Sequence, residues 1–350
     1  MRTFEVNRRL AGRHEVKVFT SVYKHSLRSV ERAGVHYRRL GFRVPGVGSS
    51  PHLTFLVSQG LAISRTPHDL VVEEFTPPVG FCGLPWWTRA PVISIVQWNF
   101  FEQWEKRYRL PFSKWMTQLA KTGRYRHVIV QSESMAREFK SLLPNATICT
   151  IPPGIDDYAF IEPVVQGEYV LFLGRIDTQH KGLDLLIEAW SSHCRAAKVP
   201  LVIAGAGPAI EALRDEVRQR QLEGLIRFIG RVEGTAKMRV LQNSRIVVVP
   251  SRYETFGLAA LEGMAAGKPV VCFNIDHLSE VAAAPWAVSI PAFDTQAFGR
   301  AVAQLWENPA KCSAIGTAAR ERARCYHWDQ VAQKQEDFYL QVYHSSHAPA

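Results

Sequence analysis

Ile246-Val-Val-Val-Pro250-Ser251-Arg-Tyr-Glu254-Thr-Phe-Gly257-Leu-Ala-Ala-Leu-Glu262-Gly-Met-Ala-Ala-Gly267 reads as a buried strand, a loop and a helix in immediate succession. The uninterrupted β-branched run suits a strand covered on both faces, and Pro250 ends it. A helix starting near Gly257 leaves unpaired N–H groups from about Phe256 to Ala259. The helix dipole adds about half a positive charge there. A diphosphate fits such a junction, and Gly257 lets the backbone come close to it. Glu254 in the loop can accept hydrogen bonds from the hydroxyls of a sugar. Glu262, further into the helix, can take a ribose diol. Two glutamates eight apart carry little alone, because an acidic residue early in a helix also simply favours the dipole.

Working outward, the same pattern recurs. Tyr169–Gly174, Pro200–Gly205, Leu225–Gly230 and Pro269–Phe273 read as strands, with helices over Gly182–Trp190 and from about Pro208 to Leu222. Alternating strands and helices predict an α/β fold with a parallel sheet. Strands that end in Gly or Pro place open backbone at one edge, where such sheets bind ligands. Gly174-Arg175-Ile-Asp-Thr-Gln-His-Lys181-Gly182 is a second strand–loop–helix junction. Arg175 and Lys181 either clamp phosphate oxygens or are solvated loop cations. The Gly230-Arg231-Val232 loop is a seat for a nucleotide base.

The first half is similar in kind but less regular. Glu15–Thr20, Asp69–Glu73, Pro91–Val96 and His127–Gln131 read as strands, and Ser132–Leu143 as a helix capped by Ser132 or Ser134. A doubly wound domain opens with a buried strand and a glycine-bearing turn. Here residues 4–12 already read as the end of a helix, so the domain is expected to lack its first strand. Either the reading frame begins too late or part of the domain has been lost. The expected organisation is an N-terminal domain over 1–152, a linker over 153–168, a C-terminal domain over 169–325 and a helix returning to the first domain over 326–350.

At 350 residues with 47% hydrophobic residues, the chain is long enough for two packed domains. No apolar run is long enough to span a bilayer, and the opening residues lack the pattern of a secretion signal. The six cysteines, Cys82, Cys149, Cys194, Cys272, Cys312 and Cys325, show no paired spacing. This points to thiols in a cytoplasmic protein rather than disulfides or a metal site. The net charge of +10 is one-sided: residues 1–160 hold 22 Lys+Arg against 12 Asp+Glu. An acidic partner or a merely solvated surface both account for it, and no nucleic-acid motif accompanies it. Between Phe81 and Arg126, aromatics including Trp86, Trp87, Trp98 and Trp104 interleave with Lys106, Arg107 and Arg109. These rings line an acceptor groove, rest on an anionic membrane face, or belong to the core.

The ordered set Gly174-Arg175…Lys181-Gly182, Ile203-Ala-Gly-Ala-Gly-Pro208, Phe228-Ile-Gly230, Pro250–Gly257…Glu262 and Gly267-Lys-Pro-Val-Val271 resembles family 4 retaining glycosyltransferases (glycosyl transferases group 1). The resemblance is close over residues 169–283 and weaker from about residue 8 to the tail. It implies the GT-B fold, two facing Rossmann-like domains with a cleft between them. It also implies transfer with retention from a UDP- or GDP-sugar to a glycan, lipid-linked or other hydrophobic acceptor, without a metal or other cofactor. Arg175, Lys181 and Glu254 are then the catalytic set, the two cations on the diphosphate and Glu254 on the donor sugar. Gly174, Arg231, Val232, Phe256, Gly257, Leu258 and Glu262 bind the donor, Glu262 through the ribose. Gln97 and Trp98 are acceptor-side candidates, and Gln97 stands where many relatives place a histidine. A donor-binding protein without transferase activity, or a nucleotide-sugar epimerase, would share these motifs.

Overall fold

The computed structural model describes residues 2–44, 50–75, 83–97, 121–160 and 167–347, together with Lys114 and Gln118. The chain divides into two compact units. Unit 1 is Met1–Pro152 with Trp328–Ala350, and unit 2 is Pro153–His327.

The described residues of unit 1 form two sheets. The first contains β1 (Val16–Ser21), β2 (Ser29–Arg32) and β3 (Val35–Leu40) in the order β1-β3-β2. β1 runs parallel to β3, while β2 and β3 form an antiparallel hairpin. Its turn residues Ala33 and Gly34 have φ of 52° and 76°, the positive pair that a tight hairpin turn needs. The second sheet is parallel, with β4 (Val71–Phe75), β5 (Val92–Val96), β6 (His127–Val130) and β7 (Thr147–Thr150) in sequence order. The helix Glu133–Leu142 follows β6, and its N-cap is Ser132, whose side chain accepts from the Met135 N–H. The sequence allows either Ser132 or Ser134 as the cap, and it gives no apolar signal for the polar edge strands β2 and β7 or for β3, which is central in its sheet but carries His36, Arg38 and Arg39. Among the described residues no strand pairs with β1 on the side away from β3, or with β4 on the side away from β5.

The chain enters unit 1 as a helix, Arg2–Leu10. It buries Val6 and Leu10 against Ile93, Ile95, Trp328, Val331 and Ala332, so the returning helix Trp328–His347 is its main partner. Arg2 is buried and donates to the Ile151 carbonyl and to Gln335 Oε1, both at 2.8 Å. Glu336 accepts from Arg13 and lies 2.6 Å from His14 Nε2.

The described residues of unit 2 form one sheet. Its strands are β8 (Tyr169–Leu173), β9 (Leu201–Ala204), β10 (Ile226–Gly230), β11 (Ser244–Val249), β12 (Val270–Phe273) and β13 (Val288–Ile290). Their order is β10-β9-β8-β11-β12-β13, and every pair is parallel. Alternation along each strand feeds two cores. Val170, Phe172, Ile246 and Val248 pack on one face with Leu186, Trp190 and Phe298. Leu171, Val247 and Val249 pack on the other with Leu261 and Met264. Burial on both faces explains the uninterrupted apolar runs. The three-residue strand β13 gave no such run. The start of the expected linker is also different from the sequence reading: Ile155 and Ala159 are buried in the core of unit 2, and the Ile155 N–H bonds to the Tyr326 carbonyl.

Buried thiols fit this packing. Burial pushes Cys194 and Cys272 up to about 12. Among the described residues no helix is long and apolar enough to cross a membrane.

Candidate functional site

The strand order of unit 2 reverses between β8 and β11, which makes the carboxyl ends of these two strands the place where this architecture opens a crevice. The two site motifs follow these two ends. β8 leads into Gly174–Lys181, and β11 leads into Pro250–Gly257.

The loops are tied together. Lys181 Nζ donates to Glu254 Oε1 at 2.6 Å, and Ser251 Oγ donates to the same oxygen at 2.8 Å. Glu254 is 8% exposed, so this charge is held by its partners rather than by water. The His180 carbonyl accepts the backbone N–H groups of Arg252, at 2.7 Å, and Tyr253, at 3.2 Å. Arg252 reaches back to the Thr178 carbonyl and pairs with both oxygens of Asp184 at 2.6 and 2.7 Å. Gly182 is needed at the first junction. Its φ is 61°, and a Cβ there would lie 2.1 Å from the Pro250 carbonyl oxygen.

Gly257, with φ 97°, is the N-cap of the helix Leu258–Ala265. A side chain would have to pass Leu278 at 2.5 Å. The first-turn N–H groups therefore start from a residue with no side chain to cap them. Phe256 is buried edge-on to Tyr326, while Leu258 is exposed. Glu262 accepts from Lys237 Nζ at 2.5 Å. Burial pushes the Glu262 carboxyl above the usual carboxylate range, against the pull of Lys237. Lys237 sits on the helix Gly234–Gln242, just after the Arg231–Val232 loop, so this pair links that loop to the helix of Glu262.

The structure thus joins Lys181 and Glu254 directly and ties Arg175 to the Lys181 loop through Asp177, while Gly257 caps the helix Leu258–Ala265 on which Glu262 lies. Arg231 follows the edge strand β10, exposed and paired with Glu233, while Val232 is half-buried against the core. Sequence reading missed Lys237, Ser251 and the Arg252–Asp184 pair. Lys237 lies in an ordinary charged helix and gave no signal. Arg252 stood inside the quoted motif, but its partner did not.

On unit 1, Gln97 follows β5 and donates to Glu74 Oε2 at 2.6 Å, and Thr3 donates to the other oxygen of Glu74 at 2.8 Å. Trp98 and most of the aromatic–cationic stretch, including Trp104, Lys106, Arg107 and Arg109, lie outside the described residues. Trp86 and Trp87 are described and about half exposed. Among the described residues, no group of three or more His, Cys, Asp or Glu side chains is placed to hold a metal ion.

Comparison with known proteins covers both units. A family model described as Glycosyl transferases group 1 matches residues 157–322, and one described as Glycosyltransferase Family 4 matches residues 2–158. The chain is 33% identical over 222 residues to a glycogen synthase of Mycobacterium tuberculosis, covering 61% of this chain and 53% of the relative. It is 29% identical over 209 residues to the phosphatidyl-myo-inositol mannosyltransferase of Mycolicibacterium smegmatis, covering 57% and 53%. The chain spans about half the length of these curated relatives. A solved structure of Anabaena Alr3699/HepE in complex with UDP and glucose superimposes with a TM-score of 0.75 at 16% identity, covering 96% of this chain and 94% of that one. That likeness shows the fold, which is GT-B.

Proposed function

We propose that this chain, which belongs to glycosyltransferase family 4, moves a sugar from a UDP- or GDP-sugar to a glycan or lipid-linked acceptor, with retention and without a metal ion. The observation that carries the reading is the Lys181–Glu254 contact of 2.6 Å between the loops that follow β8 and β11. It puts a cation for the leaving diphosphate beside a carboxylate for the sugar hydroxyls. As the bond from the sugar to the diphosphate breaks, negative charge grows on the departing phosphate oxygens. Arg175, Lys181 and the N–H groups after Gly257 answer that charge, the work a divalent cation does elsewhere. Glu262, steadied by Lys237, takes the ribose diol, and Glu254 holds the donor sugar.

Relatives that are named for glycogen synthesis and for a phosphatidylinositol mannosyl acceptor support a glycan or lipid-linked acceptor. The basic excess of residues 1–160 supports peripheral contact of unit 1 with an anionic membrane face at the cytoplasmic side. Gln97 is retained as an acceptor-side residue, steadied by Glu74.

The test is transfer by the purified chain from radiolabelled UDP- and GDP-sugars to oligosaccharide and phosphatidylinositol acceptors. Transfer with anomeric retention, in the presence of a chelator, is the expected result. Nucleoside diphosphate binding without transfer to any acceptor would make the chain a donor-binding protein. Inverted product, or loss of transfer with the chelator, would contradict the mechanism.

A further inference from the structure

We propose that Asp177 is the positioning residue of the phosphate clamp, one carboxylate that sets Arg175 and Lys181 together. This rests on the donor-site reading above. Its Oδ2 accepts from Arg175 Nε at 2.6 Å. Its Oδ1 accepts the backbone N–H groups of His180, at 2.7 Å, and Lys181, at 3.1 Å. One side of the carboxylate therefore fixes the side chain of the first cation, and the other fixes the backbone from which the second extends.

The surroundings favour this arrangement. Asp177 is 8% exposed, so water competes little for its oxygens. Burial alone pushes its carboxyl up, but the two backbone N–H groups and Arg175 outweigh that and hold it below the usual carboxylate range. Arg175 is anchored through Nε, and its side chain stays 59% exposed. His180 Nδ1 lies 3.3 Å from Arg175 Nη2 and 3.6 Å from Asp177 Oδ1. The carbonyl of the same His180 is the point where the Glu254 loop attaches. The carboxylate thus organises the turn that carries both cations and also holds the sugar-side loop.

A carboxylate near a diphosphate would by itself repel it, at a cost that is Coulombic and partly offset by Arg175. Preorganised donors are worth more than this, because they spend no free energy on reorganisation as charge develops. Asp177 therefore acts through its neighbours, without touching the donor. Loss of the carboxylate should show in the chemical step and in diphosphate affinity, and should leave the nucleoside subsite alone.

The experiment compares Asp177→Ala and Asp177→Asn with the parent chain for melting temperature, for affinity to UDP, GDP, uridine and guanosine, and for kcat and KM of transfer. Asp177→Ala should bind the preferred nucleoside diphosphate about 30-fold more weakly and lose about 100-fold in kcat, with nucleoside affinity within about twofold of the parent. Asp177→Asn keeps an acceptor for the two backbone N–H groups but not the charge that anchors Arg175. It should recover KM to within about threefold while kcat stays about tenfold low. Equal loss of nucleoside and diphosphate affinity would make Asp177 a general structural residue and overturn the proposal, as would parent-like kcat in both variants. If the alanine variant does not fold, the asparagine variant decides alone, and a kcat within about threefold of the parent overturns the proposal. A parent chain that binds neither UDP nor GDP removes the donor-site reading itself, and this proposal with it.

Discussion

Unit 2 gathers six strands into one parallel sheet and hangs both site loops from the two strands where its order reverses. In unit 1 the seven described strands fall into two sheets, and a charged helix at the start of the chain is fastened to the returning helix by Arg2, Arg13 and His14. The first arrangement is held by apolar packing on both faces of the sheet. In the second, charged contacts to the returning helix are added to an apolar core. A sheet packed on both faces can hold loop side chains to hydrogen-bond tolerance, which is what binding a diphosphate and a sugar at one point demands. The two units should therefore respond differently to substitution and to pH.

The largest effect expected is on chemistry in unit 2. Glu254→Gln keeps the shape of the loop and removes the charge that Lys181 and Ser251 serve. Transfer should fall about 100- to 1000-fold with little change in melting temperature. Steady-state kinetics beside thermal denaturation would show whether function and stability separate there. A variant that melts early would mean that the pair is structural.

A smaller effect, on stability, is expected at Gly182. Its φ of 61° and the 2.1 Å approach to the Pro250 carbonyl leave no room for a methyl group. Gly182→Ala should destabilise the protein by about 1–3 kcal/mol and weaken nucleoside diphosphate binding as the two loops part. Denaturant titration and calorimetry on the same preparation would read both. Unchanged binding would show that the junction tolerates displacement.

The smallest effect belongs to unit 1 and is a matter of pH. The Arg13 contact, with help from His14 and against burial, holds Glu336 down to about 2, from an ordinary 4.5. A depressed carboxyl contributes stability that is complete above its unfolded value and is lost as pH falls toward its folded one. Glu336→Gln should therefore be less stable than the parent at neutral pH, and the gap should close between about pH 4.5 and 2. Melting curves across that range would check it, and a gap that stays constant would remove Glu336 from the acid response.

Much of unit 2 was legible in the sequence because burial on both faces writes itself as continuous Val, Ile and Leu runs ending in Gly or Pro. Gly174, Lys181, Glu254 and Gly257 could be read from the turns after those runs. Lys237 could not, because a lysine on an amphipathic helix looks the same whether or not it meets a glutamate 25 positions on. β3, though central in its sheet, was hidden by its His-Tyr-Arg-Arg run, and β2 and β7 were hidden for a related reason. Ser29-Val-Glu-Arg32 and Thr147-Ile-Cys-Thr150 lie at sheet margins, where one side faces solvent and polar residues are tolerated. The helix Arg2–Leu10 was half visible, as a helical ending at residues 4–12, but its partner 320 residues or more along the chain was not. Arg231, read as a ligand contact because it follows a strand-ending glycine, forms an exposed surface pair with Glu233 at the edge of the sheet.

The central claim, that the loops after β8 and β11 form a diphosphate clamp, is tested most directly by calorimetric titration of the intact chain and of Lys181→Ala with UDP and GDP. The account predicts saturable one-to-one binding of at least one of them by the parent, weakened about 10- to 100-fold in the variant, a loss on the scale of one charge-assisted contact. Binding that is equal in the two proteins, or absent in both, would contradict it.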